Sequence, residues 1–225
     1  MAGVARAHFR EELQGIETQA LGALDLVSSA LDRTLEALRH QDVELATFVI
    51  ADDDRIDGRY LEVHQGLLSL LALQAPVASD LRVVAALLHV IKCAERMGDQ
   101  CVNIAKMLPI VGHEPPTDDQ LLGKILRMGE LARGEVAQAK QAFELRDTAM
   151  AEDLVCRDAE VNRLNREVFR TAVETGTDVD RREWAMTMTL VARAIERIGD
   201  NAVDIGEQVA FVVTGLFREF SDASH

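Results

Sequence analysis

The pentapeptide Glu95-Arg96-Met97-Gly98-Asp99 returns 101 residues later as Glu196-Arg197-Ile198-Gly199-Asp200. Both copies run on to a Val-x-Ile, with Asn103 in the first and Asp204 in the second. Further upstream, Gln41-Asp42 through His64 aligns with Arg146-Asp147 through Phe169 at an offset of 105, which sets Asp53-x-x-Ile56-Asp57 over Asp158-x-x-Val161-Asn162. The slippage between the two offsets falls around Leu71 to Asp80, where a turn is expected. A chain that repeats itself at such a spacing is built from two copies of one supersecondary unit, so every element and every site is expected twice.

The unit is helical. Leu13, Ile16, Ala20, Leu24, Val27, Leu31, Leu35 and Leu38 recur at steps of three and four, as do Ile125, Met128, Ala132, Val136, Ala139 and Phe143. In the third segment of each half, Leu87, Val90, Ala94, Met97, Cys101, Ile104 and Leu108 form a core stripe, repeated by Met188, Val191, Ile195, Ile198, Ala202, Ile205 and Val209. No strand-like alternation of useful length occurs. The four prolines (Pro76, Pro109, Pro115, Pro116) leave both flanks of a short central linker free for long helices. The expected fold is therefore all-α: two pseudo-symmetric three-helix bundles in tandem, over residues 1–110 and 111–225. Helices are predicted near 7–39, 42–73, 78–108, 118–145, 147–174 and 180–216, with the break between bundles at 109–117.

Charge and composition narrow the function. A net charge of −14 repels phosphate backbones, so nucleic acid is not an expected partner. The first twenty residues have no apolar signal-peptide core, and no run reaches the roughly 20 apolar residues of a membrane span. Three cysteines, Cys93, Cys101 and Cys156, form no C-x-x-C and read as free thiols in a reducing, cytoplasmic setting.

The chemistry lies beside the core stripe. Residues four apart on a helix rise about 6 Å and rotate only about 40°, so Glu95, Asp99 and Asn103 form a slanted row, matched by Glu196, Asp200 and Asp204. The preceding helix of each half contributes Asp53 with Asp57 and Asp158 with Asn162. Like charges at this spacing cost a few tenths of a kcal/mol per pair unless a cation bridges them. Oxygen-only ligands favour hard ions such as iron, zinc, manganese or magnesium, and no Cys or His stands in the rows to close a structural zinc site. One such row in an acidic chain is ordinarily a solvated face; its recurrence, with a mid-helix glycine in each copy, argues for a site.

The duplicated E-R-x-G-D, each preceded by D-x-x-[IV]-[DN], resembles the PhoU family. Leu73-Gln74-x-Pro76-Val77-Ala78-x-x-Leu81-Arg82 looks like that family's connection into its third helix. The resemblance spans about residues 7–216 and implies two three-helix bundles whose E(D)-x-x-x-D motifs hold metal ions, including multinuclear clusters. It further implies a homodimeric regulator, peripheral at most to the inner membrane face, that restrains a phosphate-specific ABC transporter through its ATPase subunit and signals with a sensor histidine kinase. Asp53, Asp57, Glu95, Asp99, Asp158, Glu196 and Asp200 match the motif, whereas Asn162 departs from it.

Catalysis is not expected, since no phosphate loop, nucleophile elbow or C-x-x-C is present. No histidine follows a glutamate by three residues, which sets the chain apart from di-iron carboxylate bundles. A helical metal- or phosphate-binding storage protein without regulatory partners is the alternative. His89, on the apolar part of the third helix, is expected to be a packed core or interface residue, and Phe211, Phe217 and Phe220 are expected to be packing groups.

Overall fold

A computed structural model describes residues 2–74, 76–111 and 118–220, the side chains of residues 2–5 and 111 excepted. In chain order the helices are α1 (Ala2–His40), α2 (Val43–Asp52), α3 (Asp54–Leu73), α4 (Ala78–Met107), α5 (Asp119–Leu145), α6 (Thr148–Glu174) and α7 (Val179–Thr214), with a single helical turn at Pro109–Val111 after α4. No strand occurs among the described residues. The expected linker begins at that turn, and residues 112–117 of it lie outside the described residues.

Helix ends follow local chemistry, and they follow it twice. α1 and α5 both stop at a residue in the left-handed conformation, Gln41 and Arg146, each with φ 54°. The next residue caps the following helix: an Asp42 carboxylate oxygen accepts from the backbone N–H of Leu45, and Asp147 accepts from Met150. α5 and α7 open in the same way at Asp118 and Asp178.

One expected helix is broken. The second segment of the first half splits at Asp53 into α2 and α3, where the Ile56 N–H reaches the Asp53 carbonyl at 2.8 Å. Its counterpart α6 is continuous. The difference lies in the sequence at the joint, Asp52-Asp53-Asp54 against Arg157-Asp158-Ala159. Three consecutive aspartates are poor helix formers and repel one another. Asp52 is also drawn aside to Arg33 of α1 at 2.7 Å.

Each half closes as a bundle, with α1, α2–α3 and α4 packing on one another and α5, α6 and α7 doing the same. The halves meet through α4 against α7 and α1 against α5, so the apolar stripes merge into one continuous core. All fourteen residues of the two third-helix stripes are buried. Gly129 allows the close approach of α5 to α1, because a Cβ there would lie 2.3 Å from a methyl of Leu35. Ion pairs run along the same seam: Arg133–Asp32 at 2.7 Å, Lys140–Asp25 at 2.8 Å and Arg146–Glu17 at 2.8 Å. At the C-terminus Phe211 is buried and Phe220 packs against the core, but Phe217 is exposed and stacks on Phe211 with ring centroids 3.9 Å apart.

Candidate metal-binding acidic clusters

In the first half, the break at Asp53 brings its carboxylate over α4. A Cβ on Gly98 would meet Asp53 Oδ1 at 2.9 Å and Ile56 Cδ1 at 3.0 Å, so the glycine in E-R-x-G-D is the seat for the aspartate of the neighbouring helix. Burial, then the charges of Asp57, Asp99, Asp54 and Glu95, push the Asp53 carboxyl up to about 6. Asp99 is raised as well, first by desolvation and then by Glu95 and Asp57. Asp53, Asp57, Glu95 and Asp99 therefore share one electrostatic neighbourhood built from α3 and α4. Among the described residues, Asp53, Asp57 and Asp99 have no ion-pair partner, while both Glu95 oxygens lie 2.7 Å from Lys92 Nζ.

The second half repeats this plan with one exchange. Gly199 on α7 seats Asp158 of α6, whose Oδ1 lies 2.7 Å from the position of a Cβ there. Glu196 is buried and pairs with Arg193, which stands where Lys92 stands in the first half. Asn162 turns its amide inward, Nδ2 donating to Asp158 Oδ2 at 2.6 Å. Asp200 is exposed, and its carboxyl is raised first by partial desolvation, which outweighs the lowering by Arg193. The fourth carboxylate comes from an unexpected helix: Glu135 of α5 is fully buried, and its Oε2 also lies 2.7 Å from the Cβ position of Gly199. Neither Glu135 oxygen accepts a hydrogen bond among the described residues. Desolvation first, then Asp158, push its carboxyl up to about 8.

Glu135 was not among the residues singled out from the sequence, although a signal for it exists. At the 105-residue offset it lies over Ala30, a buried apolar residue of α1 that lines a small cleft with Asp53, Gly98 and Cys101. The first half thus has Asp57 and Ala30 where the second has Asn162 and Glu135. The carboxylate missing at Asn162 is supplied from α5 instead, and each cluster holds four. Two expected members stand apart: Asn103 is exposed one turn beyond Asp99, and Asp204 approaches α4, as described below.

Such clusters fit hard cations. Mutually repelling carboxylates that run from the buried Glu135, Asp158 and Glu196 through the half-buried Asp53 and Glu95 to the exposed Asp57, Asp99 and Asp200, with two glycine seats and a buried glutamate that accepts no hydrogen bond among the described residues, form a donor set that a divalent or trivalent ion neutralises. A different surface does not suit an anion. The cleft of about 590 Å³ between α1 and the C-terminal end of α5 contains Arg10, Lys140 and Arg146, but Lys140 and Arg146 are already bound to Asp25 and Glu17.

The family model described as the PhoU domain matches this chain twice, over residues 22–108 and 125–209. A phosphate-specific transport system accessory protein PhoU homolog of Zymomonas mobilis is 33% identical over 208 residues, covering 92% of this chain and 87% of that protein. The corresponding homolog of Aquifex aeolicus is 32% identical over 191 residues, covering 83% and 84%. Among solved structures, PhoU from Pseudomonas aeruginosa superposes with a TM-score of 0.84 at 26% identity, over 92% of this chain and all of that one. The phosphate transport system regulatory protein PhoU from Streptococcus pneumoniae shares the fold with the same score at 24% identity, over 93% and 99%. With the family model filling both halves and the duplicated E-R-x-G-D motif placed identically on α4 and α7, this chain belongs to the PhoU family.

Proposed function

We propose that this chain is a metal-binding, cytoplasmic regulator of phosphate homeostasis. It restrains a phosphate-specific ABC transporter through the ATPase subunit and holds a partner sensor histidine kinase in its non-signalling state when phosphate is plentiful. The carrying observation is the double match to the PhoU domain, together with relatives named as accessory proteins of phosphate-specific transport. Its action is binding rather than catalysis, and its assembly is a homodimer. No helix among the described residues is long and apolar enough to cross a membrane, in keeping with a peripheral role.

Within this reading, Asp53, Asp57, Glu95 and Asp99 hold the cations of the first half, and Glu135, Asp158, Glu196 and Asp200 those of the second. A bound iron, manganese, zinc or magnesium ion supplies positive charge that ties adjacent helices together through carboxylate oxygens. Lys92 and Arg193 hold Glu95 and Glu196 in place until then and must swing away for both oxygens to be used.

The test of the regulatory role is deletion of the gene in a strain that carries no second copy. Phosphate-starvation genes should then stay on in phosphate-rich medium, and plasmid-borne wild-type protein should restore repression. Normal repression in the deletion strain would refute this reading and leave the storage alternative.

A further inference from the structure

Outside the two acidic clusters, the seam between the halves carries a third group of donors of different chemistry. His89 and Cys93 are one turn apart on α4, and Asp204 faces them from α7. One ring nitrogen of His89, the Cys93 sulfur and one carboxylate oxygen of Asp204 all lie within 4.8 Å of one another. His89 is exposed, Cys93 is buried and Asp204 is half-buried. Of the two places expected for His89, core or interface, its exposure rules out the core, and it lies at the α4–α7 seam beside the buried thiol.

We propose that His89, Cys93 and Asp204 form a binding site for a borderline-soft divalent cation, Zn2+, that clamps α4 to α7 and so ties the two bundles together. Nitrogen, sulfur and oxygen donors suit zinc, and three protein ligands leave a fourth position open to solvent on the exposed side of His89. Tetrahedral zinc with bonds of about 2.0–2.3 Å sets its ligand atoms about 3.3–3.8 Å apart, so the three donors, which lie within 4.8 Å of one another, draw together on binding. On binding, the thiol proton leaves to solvent and the thiolate takes its place as ligand.

Two features favour a site over chance proximity. Asp204 has no ion-pair partner among the described residues, while Asp200 and Glu207 of its own helix add negative charge beside it. The internal repeat also supplies a comparison. At the 101-residue offset His89, Cys93 and Asp204 correspond to Leu190, Ala194 and Asn103. All three donors are present on one side of the pseudo-symmetric seam and all three are absent on the other.

The experiment is a Co2+ titration of the full chain followed by absorption. A thiolate-to-cobalt charge-transfer band should grow in the near ultraviolet and be displaced by Zn2+; the oxygen-only acidic clusters cannot produce it, whatever metal they bind. Cys93→Ala should abolish the band, and Cys156→Ser, at an exposed thiol, should leave it unchanged. His89→Leu and Asp204→Asn install the residues the chain already carries at the equivalent places, and each should weaken Co2+ binding read from the band at least tenfold. No band in the wild type at saturating Co2+, a band that survives Cys93→Ala, or full affinity in both His89→Leu and Asp204→Asn would overturn the proposal.

Discussion

Replacing Glu135 with glutamine keeps the shape of a buried side chain and removes its ability to ionise. In the folded, metal-free protein the Glu135 carboxyl is raised from 4.5 to about 8 by burial and by Asp158. An acid whose folded-state pKa is raised destabilises the fold wherever the unfolded chain would ionise it. That penalty is absent below about pH 4.5, grows from there to about 8, and is constant above. At 1.36 kcal/mol per pKa unit, the 2.5 units between 4.5 and pH 7 correspond to about 3 kcal/mol. The metal-free wild type should therefore lose about 3 kcal/mol more than Glu135→Gln when the pH is raised from 4.5 to 7. In a chain of this size that is a relative shift in Tm of roughly 6–12 °C. Urea unfolding of both proteins in EDTA at the two pH values measures the double difference, with the slope of the transition as a check that the unfolded state is unaltered. An equal stability difference at pH 4.5 and pH 7 would refute the assignment of Glu135 as a carboxyl whose ionisation is opposed by burial and by Asp158 more than it is favoured by Arg157.

Further outcomes follow from particular contacts. Gly199→Ala places a Cβ against Asp158 and Glu135, so the roughly 1 kcal/mol helix gain of alanine is outweighed by about 1–3 kcal/mol of displaced side chains; Gly123→Ala, on open helix surface, keeps the gain. Urea midpoints of the two variants should move in opposite directions. In a metal titration followed by Tm, Glu95→Ala with Asp99→Ala should abolish the first cluster's contribution and retain the second's, and Tm that does not respond to metal in the wild type would leave the rows as solvated faces. A saturating ion at 100 times Kd is worth about 2.7 kcal/mol, which sets the size of each shift. Gln41→Gly should stabilise by about 1 kcal/mol in thermal unfolding, because a left-handed residue at φ 54° is relieved. Arg146→Gly relieves the same conformation but should not stabilise, because it loses the ion pair with Glu17 and the stacking over Phe143.

Much of this protein was legible in its chain because helical periodicity and internal repetition are local properties. The stripes from Leu87 to Leu108 and from Met188 to Val209 are buried as their spacing requires, and the slanted rows place Glu95 with Asp99 and Glu196 with Asp200 because α-helix geometry alone sets them there. The facing aspartates, Asp53 and Asp158, were recognisable through the repeat, and Gly98 and Gly199 proved to be their seats. What lay out of reach depended on which helices meet. Glu135 is an acid within the stripe of α5, and only the packing of α5 on α6 and α7 turns it toward Asp158. The break at Asp53 depends on the pull of Arg33 across from α1 as well as on three adjacent aspartates. His89, Cys93 and Asp204 lie on helices more than a hundred residues apart, and only the register of α4 against α7 brings their donor atoms within 4.8 Å. Spacing along one helix fixes which side chains share a face, but the partner of that face is set by the energy of packing one helix on another, which no local pattern carries.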